Sequence, residues 1–159
     1  MTAVGRLHLA QVNVGRLRAE PGDPLVAGFV DNVDRINALG EASPGFVWRF
    51  GADDDGIGAL DVQLWPDDPL LAVNATVWQS HEQLMAYVLQ SEHVDFLRRR
   101  REWFEPLDRP ATAAWWVEPG HVPSPAELRS RLEHLWVHGP TPVAFEVHRP
   151  LPQQLAPLP

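Results

Sequence analysis

His93 shares one helical face with Phe96, Leu97, Arg100 and Phe104, at spacings i, i+3, i+4, i+7 and i+11, which turns its ring toward the apolar side of that helix. A histidine so placed, with a pKa near neutrality, can take a proton from an acidic phenol or diketone, or it can bind haem iron. Its plainer role is structural, as a ring bonded to a backbone carbonyl. Asn74 and Trp78 lie four apart on one face of a strand-like run, and Asn13 of an earlier strand can share their layer. An amide there can orient a carbonyl or phenolate oxygen while the indole stacks on a flat substrate. The alternative is a hydrogen-bonded amide and a packing tryptophan. Arg100, on the His93 side, can pair with an acidic ligand, whereas the rest of the run Arg98-Arg99-Arg100-Arg101 reads as a solvated cluster that compensates a helix end.

Other polar groups carry less chemistry. His134 and His138 stand at i and i+4, a spacing that can hold a metal, but no third ligand is evident, and histidines also suit a helix C-terminus. Asp53-Asp54-Asp55-Gly56 resembles the opening of a calcium loop, yet Ile57 and Gly58 stand where ligands would continue, so a turn is expected. With 0 Cys, there is no disulfide, thiolate nucleophile or cysteinyl zinc site. All 13 basic residues are arginine, which removes Schiff-base lysines and a phosphate-loop lysine. A net charge of −8 speaks against nucleic acid and anionic lipid as partners. No apolar run reaches the roughly 20 residues of a membrane span, and the start lacks a secretory signal, so a cytoplasmic protein is expected.

The positioning elements follow from periodicity. A strand is expected over residues 6 to 14, and a helix over 24 to 39 behind the Asp23 cap and Pro24. A short strand follows over 46 to 50, with Phe46, Trp48 and Phe50 alternating against Val47 and Arg49, then another strand over 70 to 78. The Ser80/Gln83 capping box opens a long helix that runs toward Phe104 with a kink near Ser91. A strand over 111 to 117, a helix behind Ser124-Pro125-Ala126-Glu127 that stops at Gly139-Pro140, and an edge strand around Val143, Phe145 and Val147 complete the chain. The fold class is therefore α+β, ferredoxin-like β-α-β-β-α-β with an appended α-β unit. Residues 1 to 149 form a single domain, and 150 to 159 form a proline-rich, mobile tail.

The strands at 70 to 78 and 111 to 117 are apolar on both faces. Two helices cover one face, so the other is expected to meet a second copy in a homodimer, unless the third helix closes it alone.

Trp78-x-Ser80, Tyr87, Ser91-x-His93 and Phe96, the four arginines with Trp103-Phe104, Trp115-Trp116-Val117-x-x-Gly120, Pro123 with Glu127, and Gly139-Pro140-Thr141 with Ala144-Phe145 form a connected set. Together they resemble an uncharacterised bacterial family, domain of unknown function 3291, over roughly residues 7 to 147. That family is similar to a branch of the dimeric α+β barrel superfamily, which includes cofactor-independent monooxygenases, haem-degrading enzymes, chlorite dismutases and small isomerases or cyclases. The resemblance implies a homodimer with a pocket between helices and sheet. Monooxygenases of the superfamily have an Asn and a Trp four apart on the third strand, matched by Asn74 and Trp78; their second-helix histidine has no match, and Tyr87 stands near its place.

The resulting reading is a small-molecule enzyme acting on an apolar, aromatic or polyketide-like substrate, as a cofactor-independent monooxygenase or a cyclase/isomerase. His93 abstracts the proton, Asn74 and Tyr87 fix the oxygen, and Trp78, Asn13, Arg100, Trp103 and Trp116 contact the substrate. No cofactor is expected. The alternatives are haem held by His93 and a non-catalytic ligand-binding or interaction protein. The sequence leaves open whether the loop over 51 to 69, with Trp65, closes over the pocket.

Overall fold

The structure, a computed structural model of the chain, describes residues 6–51, 63–90 and 92–159. Its centre is β1 (His8–Leu17), flanked by antiparallel partners on both edges. On one side lie β3 (Leu71–Trp78) and then β2 (Phe46–Arg49). On the other, β5 (Thr112–Val117) pairs with residues 8 to 13 of β1, and the two-residue β4 (Phe104–Glu105) pairs with Arg16 and Leu17. The order β2-β3-β1-β5 is that of a ferredoxin-like α+β sheet. The helices are α1 (Ala27–Val30) and α2 (Val33–Glu41), then α3 (His81–Gln90), α4 (His93–Arg98) and α5 (Arg100–Trp103), and finally α6 (Pro125–His138). Among the described residues, no helix is long and apolar enough to cross a membrane.

Alternation along the strands sorts the sheet into two faces. Ala10, Val12, Val73, Ala75, Val77, Ala113, Trp115 and Val117 pack against Leu128, Leu132 and Leu135 of α6 in one cluster. Ser124 caps that helix by accepting from the Glu127 amide at 3.1 Å, and Gly139, at φ 71°, ends it in a conformation that favours glycine. Leu64, Trp65 and Trp136 extend the cover. The face expected to need a second copy is thus buried within one chain, with Ala75, Val77 and Trp115 at 0% exposure. The homodimer expectation loses the premise on which it was built: α6, joined by Leu64 and Trp65, covers that face within one chain.

Four other expectations change. The alternation of Phe46, Trp48 and Phe50 is broken by a bulge between Phe46 and Trp48, so Phe46 pairs with Trp78, Trp48 with Val77 and Arg49 with Thr76. Phe46 and Arg49 therefore share one face, while Trp48 and Phe50 pack with the α6 cluster. The first helix is a 3-10 turn plus α1 and α2, interrupted where the Asn32 side chain competes for the Gly28 carbonyl at 2.9 Å. The second helix ends before Phe104, which turns extended to pair with Leu17; a Cβ on Gly15 would lie 2.6 Å from its ring, so glycine there makes the approach possible. The last strand is reduced to one bridge to the sheet, Phe145 with Ala114, beside a local bridge of Thr141 with Ala144, because Pro140 and Pro142 lack donors and the Val147 carbonyl bonds His81 instead, at 2.7 Å. The expected turn at residues 53 to 56 and the kink at Ser91 lie outside the described residues.

The proline-rich tail is extended but tied down. Gln153 accepts from the Leu7 amide at 2.9 Å, the Trp116 indole donates to the Leu151 carbonyl at 2.8 Å, and the buried Arg131 guanidinium donates to the Ala156 carbonyl at 2.6 Å.

Candidate functional site

The helix-covered face of the sheet carries rows of side chains set by register. Trp116, Leu9, Trp78 and Phe46 form an apolar row, followed by Ala114, Gln11, Thr76 and Arg49, and then by Thr112, Asn13 and Asn74. Along β3 every residue is buried except Asn74, and Asn13, directly opposite, interrupts the buried run from Leu9 to Val14. Both amides line a cleft of about 490 Å³ between this face and the helices. Neither has a side-chain hydrogen bond to a described residue, so the bland reading of a self-satisfied amide does not hold for them. One row deeper, Trp78 Nε1 and Gln11 Nε2 donate to Thr76 Oγ1 at 2.8 and 2.7 Å. With two donors on its oxygen, the Thr76 hydroxyl directs its own proton elsewhere, and Thr76 lines the cleft.

An aromatic stack forms one wall. Phe46 meets Trp78 edge-on at 5.6 Å, Trp78 stacks on Tyr87 at 5.2 Å, and Tyr87 meets His93 at 4.9 Å. The Tyr87 hydroxyl donates to the Ile36 carbonyl at 3.1 Å, which ties α3 to α2. Burial pushes the Tyr87 phenol up from 10.0 to about 12. Burial also lowers the His93 pKa from 6.5, and a hydrogen bond to the Val88 backbone works in the opposite direction. The net shift favours the neutral imidazole over the charged one.

The structure brings together His93, Tyr87, Asn74, Asn13, Trp78 and Arg100 as lining residues of this cleft. Trp78 is fully buried, its ring face taken by Tyr87, so it serves as floor rather than as an open stacking platform. Trp103, also buried, lines a second arm of about 180 Å³ that joins the first beside His93. Trp116 lines neither arm; it packs on Phe145 beneath the tail. Trp65 lies with α6 on the opposite face of the sheet, donating to Glu133 at 3.0 Å, and does not close over the cleft. Among the described residues, no group of three metal-ligating side chains occurs, although the His134 and His138 rings lie 4.3 Å apart.

Several lining residues were not singled out from sequence. Gln11 and Thr76 sit on the same polar face as Asn13 and Asn74, a signal present in the alternation. Asn37 comes from α2, which only tertiary packing places here. Arg49 arrives through the bulge and is held by Glu41 at 2.9 Å, and Arg109 arrives from the loop before β5, stacked 4.2 Å over Trp136. Among the described residues, the charged lining side chains are thus Arg49, Arg100, Arg109 and Glu146, with Arg49 paired to Glu41 and Arg109 3.7 Å from Asp108.

No curated protein matches this sequence. A protein of unknown function from Nitrosomonas europaea is similar in structure, with a TM-score of 0.51 at 13% identity, over 76% of this chain and 98% of that one. The likeness is one of fold. SnoaB, a cofactor-independent oxygenase from Streptomyces nogalater, superposes with a TM-score of 0.47 at 16% identity, over 73% of this chain and 96% of that one. A family model described as domain of unknown function (DUF3291) matches residues 8–157, through the sheet, both arms of the cleft and the tail that closes on Arg131, and the chain belongs to that family.

Proposed function

We propose that this protein is a small-molecule enzyme that removes a proton from an apolar, aromatic or polyketide-like substrate, whose anion then reacts with dioxygen or closes onto a carbonyl. The observation that carries this reading is the placement of an imidazole, His93, in the same cleft as two amides, Asn13 and Asn74, whose donors are uncommitted to described protein groups. His93 accepts the proton; the Asn74 and Asn13 N–H groups, with the Thr76 O–H, hold the oxygen on which the negative charge settles. Tyr87 has a different part from the one read off the sequence. Its hydroxyl proton is engaged by Ile36, so its ring fixes the orientation of His93.

In the oxygenase form, a methylene next to a carbonyl and one dioxygen become a ketone and one water. All four electrons come from the substrate, and no external reductant is needed. In the cyclase form, the carbanion attacks a second carbonyl of the same molecule. Both branches share the first step.

The test is turnover of a tricyclic aromatic ketone with an acidic methylene, followed by dioxygen uptake and product analysis. His93→Ala should lower kcat/KM by about 10²-fold or more, and Asn74→Ala by about 10²-fold. The rate of the parent protein should fall on the acid side with a midpoint below 6.5, because the base works only when neutral and burial makes it harder to protonate. Unchanged turnover in both variants would reject the site. A Soret band that forms with haemin and is lost in His93→Ala would select haem binding instead, and ligand binding without turnover would select the non-catalytic reading.

A further inference from the structure

The second arm of the cleft differs from the first in a way that points to the shape of the ligand. Each of its polar lining residues, Asn13, Asn37, Asn74, His93, Arg100 and Thr112, is one it shares with the larger arm. Past that ring of polar groups its walls are apolar or aromatic. Ala72 of β3 forms the sheet side, and Val33 and Ile36 of α2 form the helix side. Phe29, Trp103 and Phe104 line it as well. These rings are locked to one another, Phe29 edge-on to Phe104 at 4.8 Å and Phe29 to Trp103 at 6.1 Å, so the arm has fixed walls and does not depend on an induced gap. Water within it has few polar partners, which favours an apolar occupant.

We infer that this arm is a subsite for an apolar substituent carried by the ring whose oxygen is held at Asn13 and Asn74. The inference rests on the reading of the larger arm as the place where that ring lies. A volume of about 180 Å³ matches about six groups of the size of a water molecule or a methylene, at about 30 Å³ each. The substrate class is therefore a hydroxylated or oxo aromatic bearing an alkyl chain of up to about six carbons, with the chain pointing away from the Trp78 and Tyr87 wall.

Binding of resorcinol, 4-ethylresorcinol, 4-hexylresorcinol and 4-dodecylresorcinol, followed by calorimetry, tests this without turnover. Affinity should rise with chain length, by up to about fourfold per methylene, and stop rising beyond the hexyl compound. Ala72→Leu fills the arm from the sheet and Val33→Phe from α2. Either variant, once a thermal melt shows it folded, should lose at least tenfold of the hexyl advantage while binding resorcinol within about twofold of the parent. The two approach from opposite walls, so misfolding of one leaves the other as the test. A parent that binds none of the series or gains nothing from the chain overturns the inference, and so do folded variants that keep the full gain. The series reads binding only, and the turnover assay reads proton removal only. Loss of the catalytic reading therefore shows in turnover alone, and loss of the subsite shows in this series alone.

Discussion

Tyr87 is the single tyrosine of the chain, held between the rings of Trp78 and His93 with its hydroxyl on the Ile36 carbonyl. Its proton is held more tightly in the folded state than in the unfolded one, with a pKa pushed up to about 12 from 10.0. Between those values the unfolded chain has released the proton and the folded chain has not, so stability falls as pH rises through that window and is unaffected by this group below it. An absorbance titration at a tyrosinate wavelength should show no transition near 10 in the folded protein and one at that pH in denaturant. Ionisation near 10 in the folded protein would mean that the stack is open to solvent. The same packing explains why Tyr87 reads differently in sequence and in structure. A hydroxyl near the expected base looks like an oxygen donor until its acceptor on the neighbouring helix is seen.

At the scale of elements, α6 does the most to define which face of the sheet holds the cleft. Leu128, Leu132 and Leu135 are at 0, 0 and 2% exposure against the strands. Leu132→Ala should cost about 2–5 kcal/mol, read from the denaturation midpoint at constant slope. A loss below about 1 kcal/mol would show that the sheet face is covered by something else. This helix was legible in the sequence because its signals are local: a capping box, a proline at its first turn and a glycine stop. β1, β3 and β5 were legible for the same reason, as alternation, and with them Asn13, Asn74 and Trp78. The helices over the cleft were less so. Asn32 interrupts the first through its own side chain, and Phe104 leaves the second to pair with β1 through a contact 87 residues away in sequence. No local signal marks either event. His93 was found from its apolar helical face, whereas Asn37 and Arg109 depend on which elements pack together.

One chain buries both faces of its own sheet, and its tail is fastened to the body at Leu7, Trp116 and Arg131. Folding that needs no second copy has a thermodynamic signature: the melting temperature does not depend on protein concentration. A series spanning a hundredfold dilution should give one value within about a degree. A systematic fall on dilution would show that a second copy completes the core. The large apolar side chains that remain exposed, such as Leu25, Leu89, Val122 and Val137, come from different elements, as expected of an ordinary surface.

Removing one residue from a strand ordinarily inverts every side chain beyond the gap. In β2 that rule should fail. Val47, 37% exposed, is the residue that the ladder skips between Phe46 and Trp48. A chain shortened by that single codon keeps phenylalanine opposite Trp78 and arginine opposite Thr76, because the irregularity absorbs the loss. Removing Val47 leaves every paired side chain in place, whereas removing Trp48 or Arg49 takes away one that packs or pairs, so a scan that deletes the three in turn should give the highest melting temperature for the Val47 deletion.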